Sequence, residues 1–404
     1  MKKIIPLAES RNCEILQGIR VVELASYVAA PICGRMLADY GAEVIKVERS
    51  TGDAWRTVGN NTNVKAYPDA NPMFDILNSG KKSVVINLKS EAGIKDVKEL
   101  ISTADVLLTN SRMKSLEKMG LGPEEVMEAN PSLIYAIMTG YGIEGPEKDA
   151  PGFDSTAFWA RSGLLRDLPA DMPGQYPCCQ FTSVGDTIAG SLLFSGVLGA
   201  IIRRMNTGKG DFVTTSLLET GVWVNNTMVI MTEPKYGDKY PISINERCAF
   251  ATYYRCSDNE WVQFGFMDYD RYMPVLLDVV GYPELIKNPK FADEPSCRLN
   301  MEEMLHILEE RFMTKPSDEW LKLLAERDIF GSRLPHVSDL SQDRQAWANG
   351  YLEEYTMPNG DTCIMPCPPI RYGSTGSMHT TPAPYLGQDT ESVLAEIRNR
   401  RHDQ

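Results

Sequence analysis

Residues 184–190 read VGDTIAG, and the apolar run SLLFSGVLGAII follows with no further charge until Arg203. A single carboxylate beside so much apolar surface is costly unless something satisfies it or uses it. Two chemistries fit Asp186. Asp is a leading helix-capping residue, so the acid could simply close the start of an apolar helix. Alternatively the acid is there to be used in a reaction rather than satisfied. A helix start suits this purpose, because its dipole favours the ionised acid and Gly185, Ala189 and Gly190 leave room for a substrate.

Other reactive groups are sparse. The four histidines are His306, His336, His379 and His402, so none lies in the first 300 residues and a Ser–His or Cys–His nucleophile pair is poorly supplied. The nine cysteines (13, 33, 178, 179, 248, 256, 297, 363, 367) show no C-x-x-C spacing. Cys363 and Cys367 have no histidine near them in sequence, so no metal site is expected, and the cysteines read as small buried hydrophobes. No G-x-G-x-x-G follows the first strand and no G-x-x-x-x-G-K-[ST] occurs, which removes the obvious NAD and ATP motifs. A net charge of -13 and a pI near 5.0 argue against nucleic acid as a partner.

The elements that must position Asp186 are legible as alternating patterns. IRVVELA, PICGRMLADYG and AEVIKVE give strand, helix and strand over residues 17–49. SVVINL, SEAGIKDVKELISTA, DVLLTN, GPEEVMEANP and LIYAIMTGYG continue the alternation. It predicts an α/β fold with a Rossmann-like, doubly wound parallel sheet. Residues 151–183 read as loop, with the pair Cys178–Cys179 inside it. From about 225 the character changes: CAFATYYRCSDNEWVQFGF predicts an antiparallel hairpin, and two helices follow. The expected organisation is a large domain over 1–221, a smaller α+β domain over 222–335, and a C-terminal part over 336–404 that returns to the large domain. The N-terminus lacks the apolar core of a signal peptide, and the uncharged stretch Thr187–Ile202 falls short of the ~20 residues of a membrane span. A cytoplasmic protein without membrane partners is expected.

These residues also carry a resemblance. GIRVVELASYVAAPICGRMLADYGAEVIKVERSTGDAWR resembles the opening signature of the class III CoA-transferases. NSGKKSVVINLKSEAG, ADVLLTNSR, TGYGIEGP, PGFDSTAFWARSGL, VGDTIAG and TGKGDFVTTSLLE occur in the family's order and approximate spacing. PGFDSTAFWARSGL and DRQAWANGYL are most similar to the clostridial branch that acts on (R)-2-hydroxy acids such as phenyllactate and 2-hydroxyisocaproate.

The resemblance implies that Asp186 is the catalytic nucleophile and that a coenzyme A thioester is the substrate, with no permanently bound cofactor. It implies CoA contacts from Tyr27, Val28 and Ala29; from Arg49; from Asn87 to Lys89; from Asn110 to Arg112 with Lys118; and from Thr139 to Tyr141. Thr139 and Lys118 stand where some members carry Lys and Arg. The four-glycine run of the formyl-CoA transferases has no counterpart between 222 and 335, and the stretch around INERCAF is the candidate to replace it. The resemblance further implies an interlocked homodimer and a role in amino-acid fermentation. Phe153, Phe158 and Trp159 are candidates to line the acid pocket. Two other readings share the motifs. An α-methylacyl-CoA racemase needs a histidine where Phe153 stands, and a non-catalytic CoA-binding subunit would not need Asp186.

Overall fold

A computed structural model describes residues 13–57, 64–67, 69–168, 182–237, 240, 247–375 and 378–402. The start of the chain, the Cys178–Cys179 pair and the first residues of INERCAF lie outside them. Two compact units are delineated: Met1–Arg166 with Cys179–Val229 and Asp343–Gln404, and Asp167–Cys178 with Ile230–Gln342.

In the first unit, strands β1 (Arg20–Leu24), β2 (Glu43–Glu48), β3 (Lys82–Val85), β4 (Val106–Thr109), β5 (Ile134–Thr139) and β6 (Phe212–Ser216) form one sheet. Their order is β3-β2-β1-β4-β5-β6, and every pairing is parallel. The doubly wound sheet expected from the alternation is thus present. Its central strands β4 and β5 are nearly continuous apolar runs because helices cover both faces. The order reverses between β1 and β4, which opens a crevice beyond their carboxyl ends.

Helices α1 (Ala29–Asp39), α2 (Pro72–Asn78), α3 (Glu91–Ser102), α4 (Met113–Lys118), α5 (Pro123–Ala129), α6 (Leu164–Asp167), α7 (Val184–Thr207), α8 (Leu217–Val224) and α9 (Asn226–Met231) follow in chain order. One core joins Cys33 and Leu37 of α1 to Val21 and Ile134 of the sheet and to Ala189, Leu193 and Val197 of α7. By length and composition α7 could cross a bilayer, but it packs its buried face into this core. Ser90 caps α3 by accepting the Gly93 N–H, and Val97, Leu100 and Ile101 face the other side of the sheet.

Of the later elements, α10 (Tyr269–Val280), α11 (Glu294–Leu299), α12 (Met301–Phe312) and α13 (Ser317–Ala325) belong to the second unit. They surround the antiparallel strands β7 (Ala251–Arg255), β8 (Trp261–Gly265) and β9 (Gly331–Arg333). The hairpin turn places Asn259 at φ 67, and the alternating exposed and buried residues of β7 and β8 put Tyr254 and Phe264 onto Phe312 and Trp320. Back in the first unit, α14 (Arg344–Ala348) precedes the hairpin β10 (Leu352–Thr356) and β11 (Thr362–Pro366). The terminal α15 (Thr390–His402) sets Val393 and Ile397 against the same core as Leu100, while Asp389 accepts the Ser83 N–H at 2.9 Å.

Beneath the loop after β1 lies a buried group of charges. Lys46 Nζ is 3.0 Å from Glu23 and 2.9 Å from Asp53, and Lys81 Nζ is 2.8 Å from the other Glu23 oxygen. Burial alone would lower the Lys46 pKa, yet the facing Glu23 and Asp53 carboxylates hold it above its ordinary value. For Lys81 burial outweighs Glu23, and its pKa falls to about 8. Asp53 also accepts the Tyr27 N–H at 3.2 Å, so the group fixes the turn that enters α1. Removing one partner leaves an uncompensated charge in the interior. Lys46→Ala should therefore cost about 3–5 kcal/mol in urea unfolding; a change within error would show that the four charges do not act together.

Candidate active site

Asp186 lies in the first turn of α7, two residues past Val184. The N-cap is Ser183, held at φ 65, and its side chain caps nothing. The capping role weighed from sequence therefore does not fall to Asp186. That role falls to Asp154, the first residue of a π-helical turn spanning Asp154–Ala160 that the sequence pattern read as loop. Burial raises the Asp154 pKa; against that, its Oδ1 accepts the Asp186 N–H at 3.0 Å, and the Gly185 and Ser183 N–H groups also favour its ionised form. The Trp159 indole N–H, buried with no hydrogen-bond partner of its own, adds to that favourable field.

Among the described residues nothing hydrogen-bonds the Asp186 carboxylate. Burial raises its pKa, the Asp154 charge raises it further, and together they bring it to about 7. The helix-start effect expected to favour ionisation is outweighed, because Asp154 already occupies the amides that would supply it.

Small residues make the approach possible. A methyl group added at Gly185 would lie 2.2 Å from the Phe158 ring and 2.5 Å from Asp154 Oδ1. One added at Gly190 would lie 2.4 Å from the Ala29 carbonyl oxygen. These two glycines press the start of α7 against the π-helical turn on one side and the first turn of α1 on the other.

Asp186 opens onto a cavity of about 990 Å³. All of its lining residues belong to the first unit. Tyr27, Val28, Ala29, Asn110, Arg112 and Thr139 line it with Asp186. Tyr27 is at φ 65, and its ring meets Phe153 edge-on at 6.0 Å. Asn110 is already engaged, since it accepts the Ser26 N–H at 3.1 Å and donates to Ser26 O at 2.6 Å. It clamps the loops after β1 and β4 together. The α1 start has no side-chain cap, and Val28 and Ala29 there line the cavity.

Five expected contacts lie off the cavity wall. Arg49 is exposed after β2 and donates to Gly52 O at 3.1 Å. Asn87 and Lys89 are exposed after β3, with Asn87 Oδ1 accepting the Lys89 N–H. Lys118 is exposed at the end of α4, and Tyr141 packs against the core. Of the apolar candidates, Phe153 is on the wall, while Phe158 and Trp159 are buried in the core.

The wall also holds residues that the sequence reading missed: Trp55, Lys114, Met138, Lys148 and Asp154. Lys114 and Lys148, like Arg112, are exposed and make no ion pair among the described residues. Their only sequence signal is position: Lys114 is two residues past Arg112, and Asp154 follows Phe153 in PGFDSTAF.

Away from the cavity, folding brings His379 to Cys367, which sequence distance did not suggest. Their ligand atoms and that of Glu353 lie within 4.8 Å of one another. The Glu353 oxygens are engaged by His379 Nδ1 at 2.6 Å and by the Thr380 N–H at 2.8 Å, so hydrogen bonding within the chain already occupies both.

The CoA-transferase family III signature matches residues 16–390. The chain belongs to that family. It is 37% identical to a (R)-2-hydroxy-4-methylpentanoate CoA-transferase of Clostridioides difficile, over 95% of each chain. It is 35% identical to a cinnamoyl-CoA:phenyllactate CoA-transferase of Clostridium sporogenes, over 96% of this chain and 94% of that one. Among solved structures, Rv3272 of Mycobacterium tuberculosis superposes with a TM-score of 0.81 at 28% identity, covering 93% of this chain and 98% of that one. A CAIB/BAIF family protein from Brucella suis gives 0.78 at 28% identity, covering 96% and 100%. This CoA-transferase thus shares both sequence and architecture with its family along nearly its whole length.

The raised Asp186 pKa carries a stability signature. Between the unfolded value near 4 and the folded value of about 7, the folded chain holds the extra proton. That contribution is complete at low pH and is lost as pH rises through 7. Asp186→Asn is neutral throughout, so its stability relative to the native enzyme should grow by about 2–3 kcal/mol between pH 5 and pH 8. Urea unfolding at the two pH values reads this directly, and an unchanged difference would contradict it.

Proposed function

We propose that this enzyme moves CoA between an acyl-CoA and a free carboxylic acid, with Asp186 as nucleophile. The observation that carries the reading is a mostly buried carboxylate on a cavity wall with no partner for its oxygens among the described residues. In the first step an Asp186 oxygen bonds to the thioester carbonyl carbon, the C–S bond breaks and CoA leaves as thiolate, giving an acyl-aspartyl anhydride. The thiolate then attacks the aspartyl carbonyl, releases the first acid and leaves an aspartyl-CoA thioester. The incoming carboxylate attacks that thioester, forming a second anhydride, and thiolate returns to the acyl carbon. Atoms balance without metal or redox help, and Asp186 ends as it began.

Charge on the tetrahedral oxygen is met by the side-chain-free amides at the α1 start beside Ala29. Arg112, Lys114 and Lys148 supply cations for the CoA phosphates, and Arg49, Asn87, Lys89, Lys118 and Tyr141 extend that path along the same edge of the parallel sheet. The acids are (R)-2-hydroxy acids with an aryl or branched side chain, exchanged with the matching 2-hydroxyacyl- or enoyl-CoA. The names of the two clostridial relatives and the apolar wall of Trp55, Met138 and Phe153 support this. The setting is amino-acid fermentation in the cytoplasm, and the working form is a homodimer. Exposed apolar residues support the dimer: Trp223 is 66% accessible, and Ile202 and Met205 on α7 are 60% and 79% accessible. The racemase reading lacks its base, since Phe153 stands where a histidine would be needed and no histidine precedes His306.

Asp186→Ala should abolish CoA exchange while leaving CoA binding intact. Incubation with donor and hydroxylamine should convert Asp186 to a hydroxamate detectable by peptide mass spectrometry. Full exchange by the alanine variant would end this mechanism. Offering a panel of 2-hydroxy acids with several donors, and weighing the CoA esters formed, fixes the substrates. Light scattering should give twice the 45.1 kDa chain mass, and Trp223→Glu should lower that mass if the exposed face is the interface.

A further inference from the structure

Asp154 has no part in the anhydride steps, yet it holds the residue that performs them. Three features of its surroundings bear on its role. It sits on a different element from Asp186, the π-helical turn Asp154–Ala160, and crosses to the start of α7 to accept the Asp186 N–H at 3.0 Å. No side chain of α7's own N-cap does this, because Ser183 is at φ 65 and caps nothing. The contact is tight enough that Gly185 cannot carry a Cβ without meeting Asp154 Oδ1 at 2.5 Å.

A helix start needs an acceptor for its free amides. An aspartate in the first turn would commonly turn its own carboxylate back to them. With Asp154 in that place, the Asp186 oxygens have no backbone donor to bind and remain available to the cavity. The same placement sets two carboxylates side by side. Among the described residues, Asp154 is the only charged group that acts on Asp186. The α1 start brings Val28 and Ala29, β5 ends in Met138 and Thr139, and Glu219 in the first turn of α8 contributes no shift.

We propose that Asp154 is a positioning residue that takes over the capping of α7, so that the Asp186 carboxylate stays unbound and its ionisation is governed by the neighbouring charge. This rests on Asp186 being the nucleophile. Two consequences separate the roles of the Asp154 oxygen and of its charge. The oxygen aims Asp186, and an amide oxygen does this equally well. The charge opposes ionisation of Asp186, so removing it makes Asp186 a stronger acid. The native enzyme then loses activity on acidification near neutral pH, as Asp186 takes up its proton, and a variant without the Asp154 charge loses it at lower pH.

The test compares Asp154→Asn and Asp154→Ala with the native enzyme, using the full chain and the donor and acceptor found by the substrate panel. For Asp154→Asn, the acid limb of the kcat/KM profile should move down by about one pH unit, so that at pH 6 its activity relative to its own maximum exceeds that of the native enzyme. Asp154→Ala loses the acceptor as well, and its kcat should fall at least tenfold while the Kd for CoA stays within twofold. CoA binding and a melting curve confirm that each variant is folded. Should Asp154→Ala fail to fold, the profile of Asp154→Asn decides alone. Profiles that superimpose, in an enzyme whose Asp186 is trapped by hydroxylamine, overturn the positioning role and leave the nucleophile standing. Full exchange by Asp186→Ala overturns both.

Discussion

A carboxylate that has no counter-ion among the described residues is the constraint around which the first unit is arranged. Asp186 sits where burial and a second acid both oppose its charge. Nothing favourable for stability follows from that placement, so the surrounding structure has to enforce it. Gly185 and Gly190 let the start of α7 approach the π-helical turn and α1, the strained Ser183 turns the chain into the helix, and Asp154 takes the amides. An acid left unbound in such a place is a poor cap and, once ionised, a good nucleophile.

The opposite wall obeys the same logic by different means. Among the described residues, the non-glycine positions at positive φ are Tyr27, Ser183, Asn259 and Asp328. Two of these, Tyr27 and Ser183, border the cavity. Each lies in the turn that enters a helix, and each is held by groups outside its own element. Tyr27 is fixed by Asp53 below and by the Asn110 clamp on its neighbour Ser26. Sequence-local forces would relax both turns, and the sheet with its buried charges prevents it. The crevice between β1 and β4 is a property of strand order, but its shape is a property of these two turns.

Much of this was legible in the sequence because periodicity is local. The run from Arg20 to Glu48, the helix capped by Ser90 and the hairpin around Asn259 each announce themselves within a dozen residues. Asp186 was legible as an acid against an apolar run. Its unusual acidity was not, because that needs Asp154, thirty-two positions away. Lys46 reads as an ordinary strand lysine until Glu23, Asp53 and Lys81 converge on it. Lys114 and Lys148 look like any solvated lysines, and only the bend of the chain after β4 and β5 brings them to one wall. The π-helical turn gave no signal at all, since Gly- and Pro-flanked text of its kind is usually loop.

The charge group under β1 has an implication for how such an enzyme can vary. Glu23, Lys46, Asp53 and Lys81 come from four separate places in the chain, two of each sign, and are sealed from solvent. Losing any one strands its neighbours, so the quartet drifts poorly one member at a time and is more readily inherited or replaced as a block. Since Asp53 also grips the Tyr27 amide, lineages that keep the block keep the same floor beneath the loop after β1, whatever else changes around the cavity.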